Sequence, residues 1–293
     1  MAAFVVFCRK CLHKTDKETL YNHAMDLIDK SIPKEYLALR INYCKVQLKL
    51  LPNVKMYKYN SADSGKVRLV VEKHKYESSS RIGERYYKIW QRRDFLQRKL
   101  TLYEAIWHAN FKGEPLPECE PHRVKKTLCV DATTRVVMNK EYFDSLKNDA
   151  NIEHPKPSDY PFNGIYYRSA AEREIAMFYT EMGIPFKYEP EVTIKGLPKP
   201  IYPDFVIYIE ELDTCKIHEH FGIKDSSRYL RVTAIKYSNY TEAGLVPELD
   251  ILFTHDTADL PFDIRYLSSK LNTAVYGTMI STKQNMVHEP ITG

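Results

Sequence analysis

Residues 201–222 read IYPDFVIYIEELDTCKIHEHFG, and this stretch decides the fold of the C-terminal half. Two runs rich in β-branched and aromatic residues, 201–209 and 216–221, flank a polar segment, which is typical of two strands joined by a short turn. Strands connected in this way pair antiparallel. Because Asp204 interrupts the first run and Glu219 the second, the pairing can bring the two carboxylates close together.

The elements on either side of this stretch predict an α+β fold with a mixed sheet. Ser169 suits a helix N-cap, and the apolar stripe that follows it ends at Gly183. In chain order we predict helix 169–182, strand 186–194, the two strands above, helix 226–243 and strand 248–253. The predicted order of the C-terminal half is therefore α-β-β-β-α-β.

Three acidic residues fall at informative places in this order. An unpaired carboxylate inside an apolar strand is costly, so Asp204 and Glu219 indicate a compensating cation. Oxygen ligands of this kind suit Mg²⁺ or Mn²⁺. Glu172 lies in the first turn of the first helix and heads its apolar stripe. The spacing Ser169-x-x-Glu172 is also that of a capping box, so a structural role stays open for this residue.

The same segments resemble the PD-(D/E)XK nuclease superfamily, in the version of bacterial and phage proteins that carries R-S-x-x-E, Y-P-D-F and E-H-F-G signatures. The likeness rests on three runs, Ser169-Ala-Ala-Glu172, Tyr202-Pro203-Asp204-Phe205 and His218-Glu219-His220-Phe221-Gly222. It covers the C-terminal half only. The resemblance implies a restriction-endonuclease-like core and Mg²⁺- or Mn²⁺-dependent hydrolysis of DNA, with endonuclease activity favoured and RNA not excluded as a substrate.

The resemblance also implies roles for individual residues. Asp204 and Glu219 would be metal ligands, and Glu172 a further ligand, directly or through water. The backbone carbonyl of His220 would face the metal as well. These groups would polarise the scissile phosphate and activate a water through the bound cation.

One position departs from the family pattern. The third motif usually ends with a lysine two residues after the acid, where this chain has Phe221. In the E-H-F-G subset a lysine of the following helix resembles a substitute, which points to Lys236, with Lys224 as second choice. If neither lysine reaches the site, the resemblance implies a module that binds nucleic acid with little or no cleavage, or an interaction subunit of a larger assembly.

Two patterns resemble zinc ligands but have ordinary alternatives. By strand alternation, His218 and His220 point to the face opposite Glu219, where we favour packing under the second helix over a zinc site. The Cys8-x-x-Cys11 pair lacks a second ligand pair at suitable spacing, so buried cysteines are favoured there.

The N-terminal half predicts a mainly helical domain over residues 1–150, a linker over about 148–164, and the nuclease-like domain over 165–293. Its predicted elements are helices 16–30, 34–51 and 81–108 and a strand at 66–73. The last helix alternates basic residues with tyrosines, which suits either a solvated face or a nucleic-acid contact. The candidate contacts are Arg85, Lys88, Arg92 and Arg93, with Lys187 in the C-terminal half.

The bulk composition limits the remaining classes. The formal net charge of +5 permits a polyanionic partner without requiring one. Neither a G-x-S-x-G nucleophile motif nor a glycine-rich phosphate loop occurs in the sequence. The apolar start is too short for a secretory signal, and no apolar run approaches the ~20 residues of a membrane span. We therefore expect a cytoplasmic protein without a membrane partner.

Overall fold

The computed structural model describes residues 32–58, 67–118, 123–222, 227–257 and 261–285. The predicted helix 16–30, the Cys8–Cys11 pattern and Lys224 lie outside these residues. The chain divides into two compact units. Leu37–Pro121 forms one, here called the small unit, and Met1–Tyr36 with His122–Gly293 forms the other, here called the sheet unit.

The small unit combines two helices with an antiparallel sheet. Its elements are α1 (Lys34–Leu50, whose first residues belong to the sheet unit), β1 (Val54–Lys58), β2 (Val67–Val71), β3 (His74–Glu77) and α2 (Arg81–Asn110). The strands pair in the order β1-β2-β3. Ser80 caps α2 by accepting the Gly83 N–H at 3.0 Å. The predicted helices 34–51 and 81–108 are confirmed, whereas the predicted single strand is the centre of a three-stranded sheet.

The sheet unit begins with short elements that precede its main sheet. They are β4 (Thr127–Cys129), β5 (Arg135–Val137), α3 (Lys140–Ser145), β6 (Pro161–Phe162) and β7 (Ile165–Tyr166). Each pair of strands, β4-β5 and β6-β7, forms a two-stranded antiparallel sheet. None of these elements was expected from the sequence, because elements of two to six residues carry too little periodicity to stand out.

The main sheet has four strands in the order β11-β10-β9-β8. Its elements are α4 (Ala170–Glu181), β8 (Phe186–Tyr188), β9 (Phe205–Ile209), β10 (Thr214–Gly222), α5 (Ser227–Glu242), β11 (Ile251–Asp256) and α6 (Ile264–Asn285). The pairs β8-β9 and β9-β10 are antiparallel, and β10-β11 is parallel. The predicted order α-β-β-β-α-β and the mixed α+β class are thus confirmed, with α6 as an unexpected addition.

Strands β8 and β9 are shorter than predicted, for local backbone reasons. Glu189 has φ 39°, in the left-handed region that strands do not use, and Pro190 follows it, so β8 ends at Tyr188. Beyond this point the chain meets its neighbour through the single bridge between Val192 and Ile201. Pro203 has no N–H to donate, and β9 begins two residues after it.

The division between the units lies earlier than the expected linker at residues 148–164. Residues 122–150 belong to the sheet unit, although we had placed them with the N-terminal half. The Val124 N–H donates to Leu212 O at 2.9 Å, and the Cys215 N–H donates to Met138 O at 2.7 Å. Leu128, Met138 and Phe143 are buried in the core beside the main sheet. These contacts are between residues distant in sequence, so composition did not reveal them.

The two faces of the main sheet are covered by different helices. On one face Val206, Ile217 and Phe253 share a core with Tyr240 of α5 and with Ala243, which follows that helix. On the other face Tyr179 of α4 contacts the ring of Phe205, with centroids 5.8 Å apart, and α6 buries Leu267 and Leu271. Glu219 lies on the α5 face, because odd-numbered residues of β10 point there. Across the described residues, no helix combines the length and apolarity that a membrane crossing requires.

Candidate functional site

Asp204 and Glu219 come together where β9 and β10 begin to separate. The last residue pair of these strands joins His218 to Phe205, and Asp204 and Glu219 are the next residues beyond that pair. Residues directly opposite in an antiparallel pair share one face of the sheet. Asp204 Oδ2 also accepts the backbone N–H of His220 at 2.7 Å, which fixes this carboxylate against β10.

Glu219 is fully buried and receives two donors from α5. The Lys236 ammonium lies 2.8 Å from Glu219 Oε2, and the Tyr240 hydroxyl donates to Oε1. Lys236 and Tyr240 are four residues apart, so they lie on the same face of the helix. Both oxygens of the carboxylate are therefore held from the helix that crosses over between β10 and β11.

The charges of the site are coupled to one another. Burial raises the pKa of Asp204 well above its usual range, and the negative charge of Glu219 raises it further. Lys236 and the His220 N–H lower this pKa, while the charge of Glu172 raises it. The pKa of Asp204 thus responds to the charges of Glu219, Lys236 and Glu172, and these four side chains are here called the electrostatic cluster.

Glu172 takes part in a capping box and in further hydrogen bonds. Ser169 Oγ accepts the Glu172 N–H at 3.1 Å and donates to Glu172 Oε1 at 3.2 Å. Glu172 Oε2 accepts the Tyr188 hydroxyl at 2.7 Å and the Arg168 N–H at 3.2 Å. Burial raises the pKa of Glu172, and these hydrogen bonds oppose the rise. The structural role left open for Glu172 is therefore present, alongside its electrostatic influence on Asp204.

The carboxylates suit a divalent cation only in part. Among the residues that the structure describes, no three His, Cys, Asp or Glu side chains are gathered into a group that could hold a metal ion. Asp204 and Glu219 nevertheless form a pair of neighbouring oxygen donors, the type that Mg²⁺ and Mn²⁺ prefer. Asp204 Oδ1 accepts no hydrogen bond from any described residue, so it has capacity for a ligand. The two neighbouring carboxylates suit a hard cation, and the role of Glu172 as a further ligand, directly or through water, stays a prediction.

The two histidines lie on the opposite face, as strand alternation indicates, but they do not pack under α5. His218 Nδ1 lies 2.7 Å from the hydroxyl of Tyr179 in α4, and His218 Nε2 lies 2.8 Å from Thr254 Oγ1. His220 Nδ1 contacts the same threonine oxygen at 2.9 Å. Burial lowers the pKa of His218 well below its usual value and that of His220 to about 4, so both rings are neutral near pH 7. The expectation of packing under the second helix was wrong.

A buried ionic network lies next to the site and was not anticipated. The Glu189 carboxylate, almost fully buried, pairs with Arg168 Nε at 2.5 Å and with Lys156 Nζ at 2.8 Å. The Glu189 N–H donates to the backbone carbonyl of Asp204 at 3.0 Å. Arg168 therefore connects Glu189 with Glu172, since its own N–H bonds Glu172. In the sequence, the one indication of this network was that Glu189 directly follows Tyr188 at the end of a strand.

The predicted nucleic-acid contacts of α2 belong to the small unit and are of two kinds. Arg93 Nη1 donates to Leu48 O at 2.8 Å and to Leu51 O at 2.7 Å, at the C-terminal end of α1. Arg92 contacts the Tyr43 hydroxyl at 3.4 Å. These two arginines thus help to hold the unit together. The two exposed residues are Arg85 and Lys88.

Lys187 lies on β8, the edge strand of the main sheet. Its ammonium lies 5.3 Å from the centre of the Phe143 ring, and burial lowers its pKa. The side chain is only partly exposed, so a cation–π contact within the fold accounts for its position. A phosphate contact by Lys187 stays a prediction.

Comparison with protein-family models, with curated proteins and with solved structures found no match to this chain. A function for this chain is therefore inferred from the geometry of Asp204, Glu219, Lys236 and Glu172 and from the motif resemblance.

Proposed function

We propose that the sheet unit is a Mg²⁺- or Mn²⁺-dependent nuclease of the PD-(D/E)XK type that hydrolyses phosphodiester bonds of DNA. The observation that carries this proposal is the contact between the Lys236 ammonium and Glu219, next along β10 to the His220 N–H that Asp204 accepts. A lysine beside two crowded carboxylates, at the end of two adjacent strands, matches the chemistry that the three motifs imply. The expected cytoplasmic location belongs to the same proposal.

Each residue has a task that follows from its surroundings. Asp204 and Glu219 would hold the cation, Glu172 would contact it through water, and the His220 carbonyl would face it. A bound divalent cation supplies a polarised phosphate and a water of lowered pKa. The Lys236 ammonium can donate to the attacking water and offset the negative charge that grows on the phosphate in the transition state.

The contact between Lys236 and Glu219 fits this task, although the ammonium is already paired with Glu219 before any substrate binds. Glu219 is buried, so it needs a positive neighbour. When a divalent cation shares that role, Lys236 no longer has to neutralise the carboxylate alone. Because its side chain is about one third exposed (37%), the ammonium can then turn toward water or phosphate without leaving the site.

A binding module that does not cleave is the second candidate. Phe221 occupies the place of the family's motif lysine, is buried, and stacks on Phe253 with centroids 5.7 Å apart. That position therefore contributes packing and no charge. If the reach of Lys236 from α5 is insufficient for chemistry, the same site binds nucleic acid and metal without hydrolysis.

The test is a supercoiled-plasmid assay on the full chain with Mg²⁺, Mn²⁺ or EDTA, beside a single-stranded RNA of similar length. The variant Asp204→Asn keeps the size of the side chain and its acceptor for the His220 N–H. Asp144→Asn is the matched control, since Asp144 is exposed on α3 and, among the described residues, forms an ion pair only with Lys140 of the same helix. The proposal expects nicking by wild type and by the control with metal, and none by Asp204→Asn.

The other outcomes separate the candidates. A gel shift of the plasmid without cleavage under any metal condition supports the binding module. Cleavage that persists in EDTA, or that survives in Asp204→Asn, contradicts the metal-dependent mechanism. Absence of both binding and cleavage contradicts both candidates.

A further inference from the structure

Two buried tyrosine hydroxyls touch two of the three candidate site carboxylates. Tyr188, the last residue of β8, donates to Glu172 Oε2 at 2.7 Å, and Tyr240 of α5 donates to Glu219 Oε1. The exposed fraction of these tyrosines is 0% and 1%, so neither hydroxyl has solvent as an alternative partner. Each tyrosine comes from a different element of the sheet unit, yet both end on the same electrostatic cluster.

The direction of these hydrogen bonds follows from chemistry. An ionised carboxylate can only accept hydrogen bonds, so each phenol is the donor.

The two hydroxyls complete the set of donors around each carboxylate. Glu219 is held by Lys236 on one oxygen and by Tyr240 on the other. Glu172 is held by Ser169 on one oxygen and by Tyr188 with the Arg168 N–H on the other. A carboxylate held on both oxygens cannot rotate, and a fixed orientation is what a small cation with strict geometry requires.

We propose that Tyr188 and Tyr240 are positioning residues, whose hydroxyls orient Glu172 and Glu219 for a divalent cation at Asp204. This inference rests on the proposed function, since it assumes that the cluster binds metal. It adds two residues that lie outside the three motifs. Neither tyrosine has to touch substrate for this role.

Tyr179 supplies a matched control within the same unit. Its ring is completely buried, and its hydroxyl makes a 2.7 Å hydrogen bond to His218 on the opposite face of the sheet. Replacement by phenylalanine removes one buried hydroxyl with its hydrogen bond in all three cases. Only at Tyr188 and Tyr240 does the lost hydrogen-bond partner belong to the electrostatic cluster.

The experiment is a calorimetric titration of the full chain with MnCl₂, together with thermal unfolding in EDTA. The variants are Tyr188→Phe, Tyr240→Phe and Tyr179→Phe. Loss of an outer partner of a metal ligand typically weakens metal affinity by about 10–100-fold. We expect a loss within this range for Tyr240→Phe and a smaller loss, roughly 10-fold, for Tyr188→Phe, because Glu172 keeps two other donors. Tyr179→Phe is expected to lower the unfolding temperature without a change in Mn²⁺ affinity.

The outcomes distinguish this inference from the proposed function. If the wild type binds Mn²⁺ and both site variants bind it equally well, the positioning role is refuted while the metal site stands. If Tyr179→Phe weakens Mn²⁺ binding as much as the site variants do, the effect is one of general stability and the inference fails. If the wild type binds no Mn²⁺, the proposed function fails and the inference fails with it.

Discussion

The substitution Asp204→Asn tests the crowding of carboxylates without reference to catalysis. Asp204 and Glu219 are the first residues beyond the last β9–β10 residue pair, and the pKa of Asp204 is raised well above the usual range, first by burial and then by the charge of Glu219. Asparagine has the same shape and retains an oxygen for the His220 N–H, which Asp204 accepts at 2.7 Å. The change removes one negative charge and keeps the hydrogen bond, so we expect the metal-free chain to become more stable.

The size of the gain follows from the geometry. Side chains directly opposite in an antiparallel pair have Cβ atoms about 5 Å apart. Two unit charges at about 5 Å repel by roughly 3 kcal/mol at an effective dielectric constant of about 20. The Lys236 ammonium, 2.8 Å from Glu219, offsets part of this repulsion. We therefore expect an increase of about 1–2 kcal/mol in the free energy of unfolding, or roughly 2–4 °C in Tm per kcal/mol.

The sign of the pH dependence is also fixed. A carboxyl with a raised pKa in the folded state binds its proton more tightly there than in the unfolded chain. Its contribution to stability is complete below its unfolded pKa of about 3.9 and is lost as the pH rises through the folded pKa. The wild type should therefore lose stability relative to Asp204→Asn as the pH rises from about 4, until the raised pKa of Asp204 is passed.

The assay is urea unfolding in EDTA at several pH values, repeated with MnCl₂. Asp250→Asn is the control, because the buried Asp250 carboxylate accepts the Val246 N–H at 2.8 Å and pairs with Lys126. That variant loses a compensated charge, so its stability should fall. With MnCl₂ the wild type should gain stability and Asp204→Asn should gain less. A metal-free Asp204→Asn chain that is less stable than wild type at pH 7 would refute the argument.

Three further substitutions have expected outcomes. Lys236→Met should lower the free energy of unfolding in EDTA by about 1 kcal/mol, because the buried Glu219 loses a partly exposed partner. The same variant should not nick the plasmid. Unchanged nicking would show that Lys236 has no part in the proposed chemistry. Phe221→Lys should cost about 3 kcal/mol in urea unfolding and should not increase cleavage, because the position is a core position; a stable variant with faster cleavage would contradict this. Arg93→Ala should lower the free energy of unfolding by about 1–2 kcal/mol, because two hydrogen bonds to backbone carbonyls are lost. Arg85→Ala should leave stability unchanged and weaken DNA binding in a gel shift. Higher salt should reduce this difference in binding.

The elements with strong periodicity were predictable from the sequence. The helix of residues 169–182 was predicted from its Ser169 cap and apolar stripe, and the structure has α4 at Ala170–Glu181 with that cap. Shorter elements escaped because their pairing is decided by distant residues. The attachment of residues 122–150 to the sheet unit depends on contacts such as Cys215 N–H to Met138 O, which no local pattern encodes. Tertiary contacts therefore place the boundary between the units near residue 122, whereas composition favoured residues 148–164.

Some features of the candidate site were likewise predictable from the sequence and others were not. The antiparallel pairing that brings Asp204 and Glu219 together follows from a short turn between two apolar runs, so their proximity was predictable. The hydroxyls of Tyr188 and Tyr240 and the pairing of Glu189 with Arg168 were not, because they join residues from different elements. A tyrosine four residues after Lys236 was the available signal, since side chains at that spacing share one helix face.

The place of the missing motif lysine shows how a helix can replace a strand residue. Phe221, at that position, is packed between the rings of Phe253 and His255, at centroid distances of 5.7 Å and 5.5 Å. The ammonium of Lys236 lies 5.9 Å from the centre of the Phe221 ring and ends on Glu219, two residues earlier in the strand. Phe221 on the strand therefore contributes to the core, whereas Lys236 on α5 places its positive charge beside Glu219. A charge supplied from α5 also ties the electrostatics of the site to the docking of that helix, which a lysine on β10 would not do.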